Sequence, residues 1–364
     1  MRTGVRRGAQ AVGVSDVRPG IIVLQLGGPE TLADVRPFLG NFFRDLLADN
    51  VPPLLVRPLA ELIATWRAPT SRRLYASIGG GSPIRAQTQA QADALKDELR
   101  RRGHDWPVYV AMRNWQPDSA LALSAAQSEG ITHVAALPLY PQYSYATTRS
   151  SVNELRRVLS TTKYRPALGV VEEHCDEPGY IDALVDVTRE ALGSFKAAPR
   201  DIHLIFSAHG LPISYIERGD PYVDHVKRSM VAALAKLQHP GPSHLSYQSR
   251  LGPQRWLQPS TDSLLEDLGK SGARAVCIVP VAFVTEHVET LNEIDIQYRE
   301  IASAAHIAEF QRASAVKSHP SYIRCLASLA ERCIDSLRTA NGAVDLYGRP
   351  YAERGSAPRG QHSP

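Results

Sequence analysis

The stretch RAVCIVPVAFVTEHVETLNEID, residues 274–295, decides the fold and contains the first candidate site. Its apolar first half predicts a buried strand, and polar residues that begin a helix follow at once. Glu286, Glu289 and Glu293 are spaced three and then four residues apart, so a helix would place them on one face beside His287. Like charges on one helix face cost about 0.2–0.5 kcal/mol per pair. The row is therefore either a solvated face or a functional one.

The same alternation of apolar strands and amphipathic helices recurs along the chain. Strands are predicted at residues 20–26, 107–112, 131–137, 202–207, 244–248 and 274–284. Helices are predicted between them, at residues 86–103, 118–130, 179–192 and 260–272. Such alternation is typical of an α/β protein with a parallel, doubly wound sheet.

Each half of the chain shows three strands that are followed by proline-bearing loops. The loops are GGP (27–29), RNWQP (113–117) and PLYPQYSYATT (138–148) in the first half, and AHGLP (208–212), SRLGPQRWLQP (249–259) and PVAFVTEHVET (280–290) in the second. We therefore predict two similar Rossmann-like domains with parallel sheets. Their bounds are 18–165 and 166–338, the second with a C-terminal helix, between a flexible tail (1–17) and a disordered tail (339–364). Because ligands bind beyond the carboxyl ends of such strands, the loops should line one cleft between the domains.

Composition excludes several classes of protein. The chain of 364 residues is long enough for two domains, and its net charge of +4, without basic runs interleaved with aromatics, does not indicate a nucleic-acid partner. The longest apolar runs are far shorter than the roughly 20 residues that cross a bilayer. The Arg-rich start has no apolar core and is not a secretory signal. We expect a cytoplasmic protein whose apolar segment 38–66 is either a membrane-contacting lip, with peripheral contact to the inner face of the membrane, or an ordinary pair of core helices.

The four cysteines do not form a recognisable pattern. Cys175, Cys277, Cys325 and Cys333 include no C-x-x-C pair and no iron–sulfur spacing. We predict reduced, structural thiols.

His209 is the strongest candidate for chemistry outside the opening stretch. It follows a predicted strand directly, in the polar loop FSAHGLPISYIERGDPY. Neutral imidazole suits both metal ligation and proton transfer near neutral pH. A helix N-terminus would by itself favour Glu286 and Glu289 through the helix dipole, but it does not explain Glu293. A row of carboxylates facing a cleft could hold a hard divalent cation or pass protons.

Flat aromatic and cationic side chains are further candidates for ligand binding. Trp256 and Tyr143 lie in proline-rich loops, where core packing is less expected, and Arg67 and Arg113 could pair with ligand carboxylates. The GGGSP stretch (79–83) lacks both phosphate-loop patterns and is interpreted as a tight turn. These residues fit a planar, carboxylate-bearing, largely apolar ligand that meets a metal or loses protons.

The motifs together resemble those of the ferrochelatases, closest to the protoporphyrin type, over roughly residues 18–335. The resemblance rests on LGGPETL, FFRD, GGGSPI, PLYPQYS, FSAHGLP, RGDPY, YQSRLGPQRWLQPSTD and FVTEHVETLNEID, in the family's order. It implies insertion of ferrous iron into protoporphyrin IX, which yields protohaem and releases two protons. It also implies the chelatase fold, a porphyrin cleft between the domains, and no cofactor beyond the iron substrate.

The resemblance assigns roles to particular residues. By match to SAHGLP and TEHVETL, His209 and Glu289 take the places of the catalytic, iron-binding histidine and carboxylate. Glu286, His287 and Glu293 fall on the family's acidic path. The residues predicted to bind porphyrin are Arg67, Tyr75, Ser82, Arg113, Tyr143 and Trp256.

Two departures qualify the resemblance. Asn114 stands where the family usually has Tyr, and Glu286 where Asp is common. Leu26 stands where the coproporphyrin-using branch tends to carry Tyr, which favours protoporphyrin. The C-terminal cysteine cluster of some members is absent, so no iron–sulfur centre is predicted.

Other functions remain compatible with the residues. A non-catalytic porphyrin or haem carrier and a cobalt- or nickel-inserting chelatase would both use such a cleft. A nucleotide-dependent α/β enzyme is disfavoured, because both phosphate motifs are missing.

Overall fold

Two parallel β-sheets form the framework of the protein, as the strand–helix alternation predicts. The computed structural model describes residues 17–48, 51–250, 252–339 and 344–345. Among these residues the first sheet has five strands and the second has four. All the strand pairs are parallel, so the predicted fold class is confirmed.

The first domain is built from apolar strands connected by helices. Residues of the central strand are buried on both faces, which is typical of a parallel sheet that is covered by helices on each side. Its elements are β1 (Pro19–Gln25), α1 (Val35–Ala48), α2 (Pro53–Ala76), α3 (Ile84–Arg101), β2 (Val108–Met112), α4 (Ser119–Ser128), β3 (His133–Pro138), a π-helical turn (Tyr145–Arg149), α5 (Ser150–Thr161) and β4 (Ala167–Val170).

The second domain repeats this plan. Its elements are α6 (Pro178–Leu192), a 3₁₀ turn (Pro199–Asp201), β5 (Ile202–His209), α7 (Ile213–Glu217), α8 (Tyr222–Leu237), β6 (Ser243–Gln248), α9 (Thr261–Lys270), β7 (Ala275–Pro280), a π-helix (Glu289–Tyr298), α10 (Arg299–Ala304), β8 (Glu309–Arg312) and α11 (Pro320–Thr339). The chain then returns to the first sheet through β9 (Val344–Asp345), so the strand orders are β2-β1-β3-β4-β9 in the first sheet and β6-β5-β7-β8 in the second. In both domains the first strand is central, the second and third flank it, and a π-helical segment follows the third. The sequence repeat is therefore a structural one.

The boundary between the domains differs from the predicted one. β4 pairs with β3, so the chain leaves the first sheet only after residue 170. The C-terminal helix α11 packs on α3, β3 and β4 of the first domain as well as on α6.

The C-terminal tail differs from the prediction of disorder at its start. α11 extends to Thr339, and β9 adds an edge strand beside β4. The prediction of disorder is wrong for these positions. The other residues of both tails, apart from Val17, lie outside the described residues.

Buried hydrogen bonds join the two domains beneath the cleft. The Gln142 side chain donates to Ser229 Oγ at 2.9 Å and to the Val281 carbonyl at 3.1 Å. Asp220 of the RGDPY motif accepts from the Tyr145 N–H at 2.8 Å, which fixes the loop of the first domain against the second. One continuous hydrophobic core contains residues from both sheets. The two domains are therefore held together by a shared apolar core as well as by hydrogen bonds.

Candidate active site

His209 and Glu289 meet at the carboxyl edge of the second sheet. His209 is the last residue of β5, and Glu289 begins the π-helix that follows β7. Because β5 and β7 are paired and parallel, their ends deliver both side chains to one place. His209 Nδ1 lies 2.8 Å from Glu289 Oε2. The structure brings these two predicted residues into contact, and their catalytic and iron-binding roles stay predictions.

The pair is electrostatically coupled. Burial by itself lowers the pKa of His209, but the carboxylates of Glu289 and Glu293 outweigh it and hold that pKa above its usual value. Burial by itself raises the pKa of Glu289, but His209 and His287 lower it to about 2. The side chain of His209 is 37% exposed and that of Glu289 25% exposed. Because Nδ1 faces Glu289, Nε2 is the nitrogen that is left for a ligand in the cleft.

The Glu293 side chain lies next to the pair of His209 and Glu289. Its carboxylate accepts from the Ser249 N–H at 2.8 Å, from the Ser249 hydroxyl and from the Tyr298 hydroxyl at 2.8 Å. Gln248 donates to the Glu289 carbonyl at 3.2 Å and to Glu293 Oε2 at 3.3 Å. Burial and the neighbouring Glu289 raise the pKa of Glu293. Glu293 is half-buried, and its raised pKa suits it to take up a proton.

Glu286 points away from the two other carboxylates of the row. It precedes the π-helix, is 4% exposed, and pairs with Arg312 at 3.0 Å and with Lys317 at 3.6 Å. Burial by itself raises the pKa of Glu286, but Arg312 lowers it below its usual value. Its place on the acidic path stays a prediction, and its ion pairs do not favour it.

The single helical face predicted for residues 286–293 does not form. The helix begins only at Glu289, and its π-helical hydrogen bonds run from residue i to i+5, so side chains rotate differently from those of an α-helix. His287 turns onto the ring of Phe283, at 4.3 Å between centroids, and burial lowers its pKa. The three carboxylates therefore do not form a row. Glu289 pairs with His209, Glu293 lies next to that pair, and Glu286 forms a separate ion pair with Arg312.

Aromatic side chains line the region around His209. The ring of Phe283 lies 6.4 Å from that of His209, edge to face. Trp256 is half-buried and forms an isolated bridge with Pro212 in the AHGLP loop. A Cβ at Gly210 would lie 3.5 Å from the Trp256 ring, so the indole packs beside the residue that follows His209. This placement suits the predicted contact between Trp256 and a flat ligand.

Tyr143 and Arg113 are engaged elsewhere. Tyr143 is 1% exposed and packs edge to face on Tyr145, and the expectation that these loop tyrosines lie outside the core is wrong. Arg113 pairs with Asp45 and donates to Ser150 Oγ at 2.8 Å. Porphyrin contacts of Tyr143 and Arg113 stay predictions, and that of Tyr143 is disfavoured by its burial.

The remaining predicted porphyrin residues lie on the helical part of the first domain. Arg67 is half-buried on α2, and Tyr75 is buried near the end of the same helix. Burial and the carboxylate of Glu289 raise the pKa of Tyr75, and Val288, the residue before Glu289, packs against the apolar cluster that contains Tyr75. Ser82 is buried in the predicted tight turn, where its N–H donates to the Pro29 carbonyl at 2.7 Å.

Four residues of the site were not singled out from the sequence. They are Phe283, Gln248, Ser249 and Tyr298. For Gln248 and Ser249 the sequence did contain a signal. Gln248 is the last residue of the predicted strand 244–248, and Ser249 begins the loop SRLGPQRWLQP that follows it. The orientation of Phe283 and Tyr298 depends on the π-helix, for which the sequence gives no local pattern.

Comparison with known proteins identifies relatives over nearly the whole chain. The profile of the family described as ferrochelatase matches residues 18–333. The chain is 46% identical over 319 residues to the ferrochelatase of Synechococcus sp. (strain JA-3-3Ab), which covers 86% of this chain and 92% of that protein. It is 42% identical over 317 residues to the ferrochelatase of Geotalea uraniireducens (strain Rf4), covering 87% of this chain and 98% of that protein.

A solved structure shares the fold. SirB from Bacillus subtilis with Fe3+ superposes with a TM-score of 0.52 at 13% sequence identity, covering 88% of this chain and 96% of that chain. At this identity the likeness concerns the fold alone.

Proposed function

The chain belongs to the ferrochelatase family, and we propose that His209 and Glu289 carry its insertion of ferrous iron into protoporphyrin IX. The observation that carries this assignment is the 2.8 Å contact between His209 Nδ1 and Glu289 Oε2 at the end of the sheet. Iron and porphyrin are the substrates, and no resident cofactor is required.

His209 acts as the base that removes the pyrrole protons. In the neutral form its Nδ1–H donates to Glu289, and the Nε2 lone pair accepts a proton from a pyrrole nitrogen. The carboxylate of Glu289 stabilises the imidazolium that results, which is the reason for the raised pKa of His209. Each insertion releases two protons, so His209 must pass on the first before it accepts the second.

Glu293 is the next group that accepts the protons as they leave His209. Its pKa is raised by burial and by Glu289, so it can hold a proton while Glu289 stays ionised. Its hydrogen bonds to Ser249 and Tyr298 fix the carboxyl in place.

The porphyrin ring lies against the aromatic wall beside His209. Trp256 and Phe283 offer flat surfaces there, and Tyr75 faces them from the first domain. Contacts with the periphery of the macrocycle can favour a bent ring, in which the nitrogen lone pairs are exposed to iron.

The test is anaerobic turnover of ferrous iron and protoporphyrin IX, followed by the loss of porphyrin fluorescence. We expect His209→Ala to lower kcat by at least about 100-fold, as for loss of a general base. His203→Ala is the matched control, because His203 lies at the other end of the same strand, next to His244. A His209→Ala variant that turns over at the rate of the control would overturn the proposal.

The same assay separates the alternative functions. Stoichiometric quenching without turnover indicates a porphyrin carrier. Turnover with coproporphyrin III but not with protoporphyrin IX would contradict the substrate assignment, which depends on Leu26 in the sequence. Preference for cobalt or nickel in competition with ferrous iron indicates a chelatase for another metal.

We also propose peripheral membrane contact through α2. None of the described helices is long and apolar enough to cross a membrane. On α2, Leu54 is 91% exposed, Trp66 75%, Leu62 67% and Leu55 56%, whereas Phe38 of α1 is buried. Flotation with vesicles of mixed zwitterionic and anionic lipids should recover the wild type but not Leu62→Asp/Trp66→Asp. Equal recovery of both proteins would refute the contact, and the cytoplasmic location stays a prediction.

A further inference from the structure

One cluster of three metal-ligating side chains stands out in the part of the chain that the structure describes. Glu173, Cys175 and His225 place one ligand atom each within 4.8 Å of one another. The first two follow strand β4, and His225 lies in the first turns of helix α8. None of the three belongs to the pair of His209 and Glu289.

The ligand atoms are spaced for one small ion. Glu173 Oε2 accepts from Cys175 Sγ at 2.9 Å and lies 3.7 Å from His225 Nδ1. In a tetrahedral zinc site the bond lengths place neighbouring ligand atoms about 3.4–3.6 Å apart. Both distances differ from that spacing by no more than about 0.7 Å, and the third pair of ligand atoms, Cys175 Sγ and His225 Nδ1, lies within 4.8 Å.

We infer that Glu173, Cys175 and His225 form a second metal site, for a borderline divalent ion of the Zn²⁺ and Co²⁺ class. A thiolate, an imidazole and a carboxylate with an open fourth position is a ligand set that such ions prefer. An ion at this site is separate from the iron substrate and is not needed for its insertion, and Cys175 is then a ligand and not the purely structural thiol that the sequence predicts.

Burial defines how an ion enters. Cys175 is fully buried and His225 is 7% exposed, whereas the side chain of Glu173 is 30% exposed. The opening is therefore on the Glu173 side, and the two softer ligands lie at the bottom.

The charges around the cluster balance when an ion is bound. The Cys175 thiolate and the Glu173 carboxylate together carry two negative charges, which match a divalent ion. Arg228 contacts Glu173 Oε1 at 3.0 Å and Asp176 at 2.7 and 3.0 Å, so its charge is neutralised by Asp176. Arg228 donates to both oxygens of Glu173, at 3.0 Å to Oε1 and at 3.2 Å to Oε2, and so fixes the orientation of that carboxylate.

Metal binding replaces the hydrogen bonds that the three ligand atoms now make, including the one from Arg228 to Glu173 Oε2. The Cys175 thiol loses its proton to solvent, and the sulfur–metal bond forms in place of the contact with Glu173. The Tyr143 N–H, which donates to His225 Nδ1 at 3.2 Å, gives up that bond. The competing structural role is a closed hydrogen-bond network that fastens residues 173–176 to α8 without metal.

The experiment is a titration of the full chain with Co²⁺ alone. His209→Ala/Glu289→Ala serves as the background, so that ions at the iron site do not contribute. We expect one bound Co²⁺ per chain, with the charge-transfer absorption of a cobalt–thiolate bond. Cys175→Ser in this background should abolish that absorption, and His225→Gln and Glu173→Gln should each weaken binding at least 10-fold. Cys325→Ser, at another buried cysteine, should leave both readouts unchanged.

Two results would overturn the inference. One is a background protein that shows no cobalt–thiolate absorption. The other is an absorption that persists in Cys175→Ser. Thermal unfolding of each metal-free variant checks folding, and if Cys175→Ser does not fold, the His225→Gln and Glu173→Gln titrations decide the question.

Discussion

Replacement of Arg312 by Met should test how the segment that carries Glu289 is held. Arg312 reaches both ends of this segment: it contacts Asp295 at 2.8 and 2.9 Å and Glu286 at 3.0 Å. The side chains of Arg312 and Glu286 are 9% and 5% exposed. Methionine fills a similar space but leaves the Glu286 carboxylate in the interior without its main counter-charge.

The expected loss of stability is large. Removing one partner of a buried ion pair costs about 3–5 kcal/mol, because the other charge remains buried. Lys317 at 3.6 Å and the Ala315 N–H at 3.0 Å still stabilise Glu286, so we expect a value near the lower limit, about 3 kcal/mol. This corresponds to roughly a 100-fold change in the ratio of folded to unfolded protein, since about 1.4 kcal/mol is a factor of ten.

The loss should depend on pH in a defined direction. Arg312 holds the pKa of Glu286 below its usual value, so the wild type keeps this stabilisation above pH 4.5 and loses it as the pH falls through the lowered pKa. Without Arg312, burial raises the pKa of Glu286. The carboxyl then protonates at a higher pH, and the difference between variant and wild type should narrow as the pH falls from about 7 towards 5.

The assay is urea unfolding at several pH values, with ferrochelatase turnover measured on the same samples. Arg274→Met is the control, because Arg274 is an exposed arginine on the same domain, and it should change the free energy of unfolding by less than about 0.5 kcal/mol. Turnover of Arg312→Met should fall, since Glu289 loses its anchored backbone. A loss of less than about 1 kcal/mol would refute the buried-pair reasoning. Glu286→Gln with wild-type stability but without turnover would instead restore Glu286 to the proton path.

Three further substitutions test other parts of the structure. Glu289→Gln removes the carboxylate that raises the pKa of His209. The acid limb of the pH profile of kcat/KM should therefore move to lower pH, and kcat should fall. An acid limb at the same pH as in the wild type would show that His209 is not the titrating base. Gly81→Ala would place a Cβ 2.0 Å from the Glu30 carbonyl oxygen, so we expect a lower Tm and weaker porphyrin binding, and a wild-type Tm would contradict this packing. Gln142→Leu removes the amide that donates to the buried Ser229 hydroxyl and to the Val281 carbonyl. The Tyr180 hydroxyl still donates to that carbonyl, so we expect a loss of about 1–3 kcal/mol in all, and urea unfolding that matches the wild type would show that water replaces the amide.

The sequence by itself determined the sheets and the central pair of the site. The six predicted strands all exist, with starts that differ by no more than two residues, because long apolar runs report burial directly. His209 and Glu289 were found because each follows such a run, and strand ends of a parallel sheet converge. The missed strands β4 and β8 are four residues long, which is too short for a periodic signal.

Only the tertiary structure decided what each carboxylate does. Glu286, Glu289 and Glu293 look alike in a local pattern that assumes the α-helical period, but the segment is a π-helix that starts at Glu289. Their partners lie far along the chain: Arg312 is 26 residues from Glu286, Ser249 is 44 from Glu293 and His209 is 80 from Glu289. A carboxylate becomes an anchor, a proton acceptor or the partner of a base through the charges and donors around it, and those are placed by the fold.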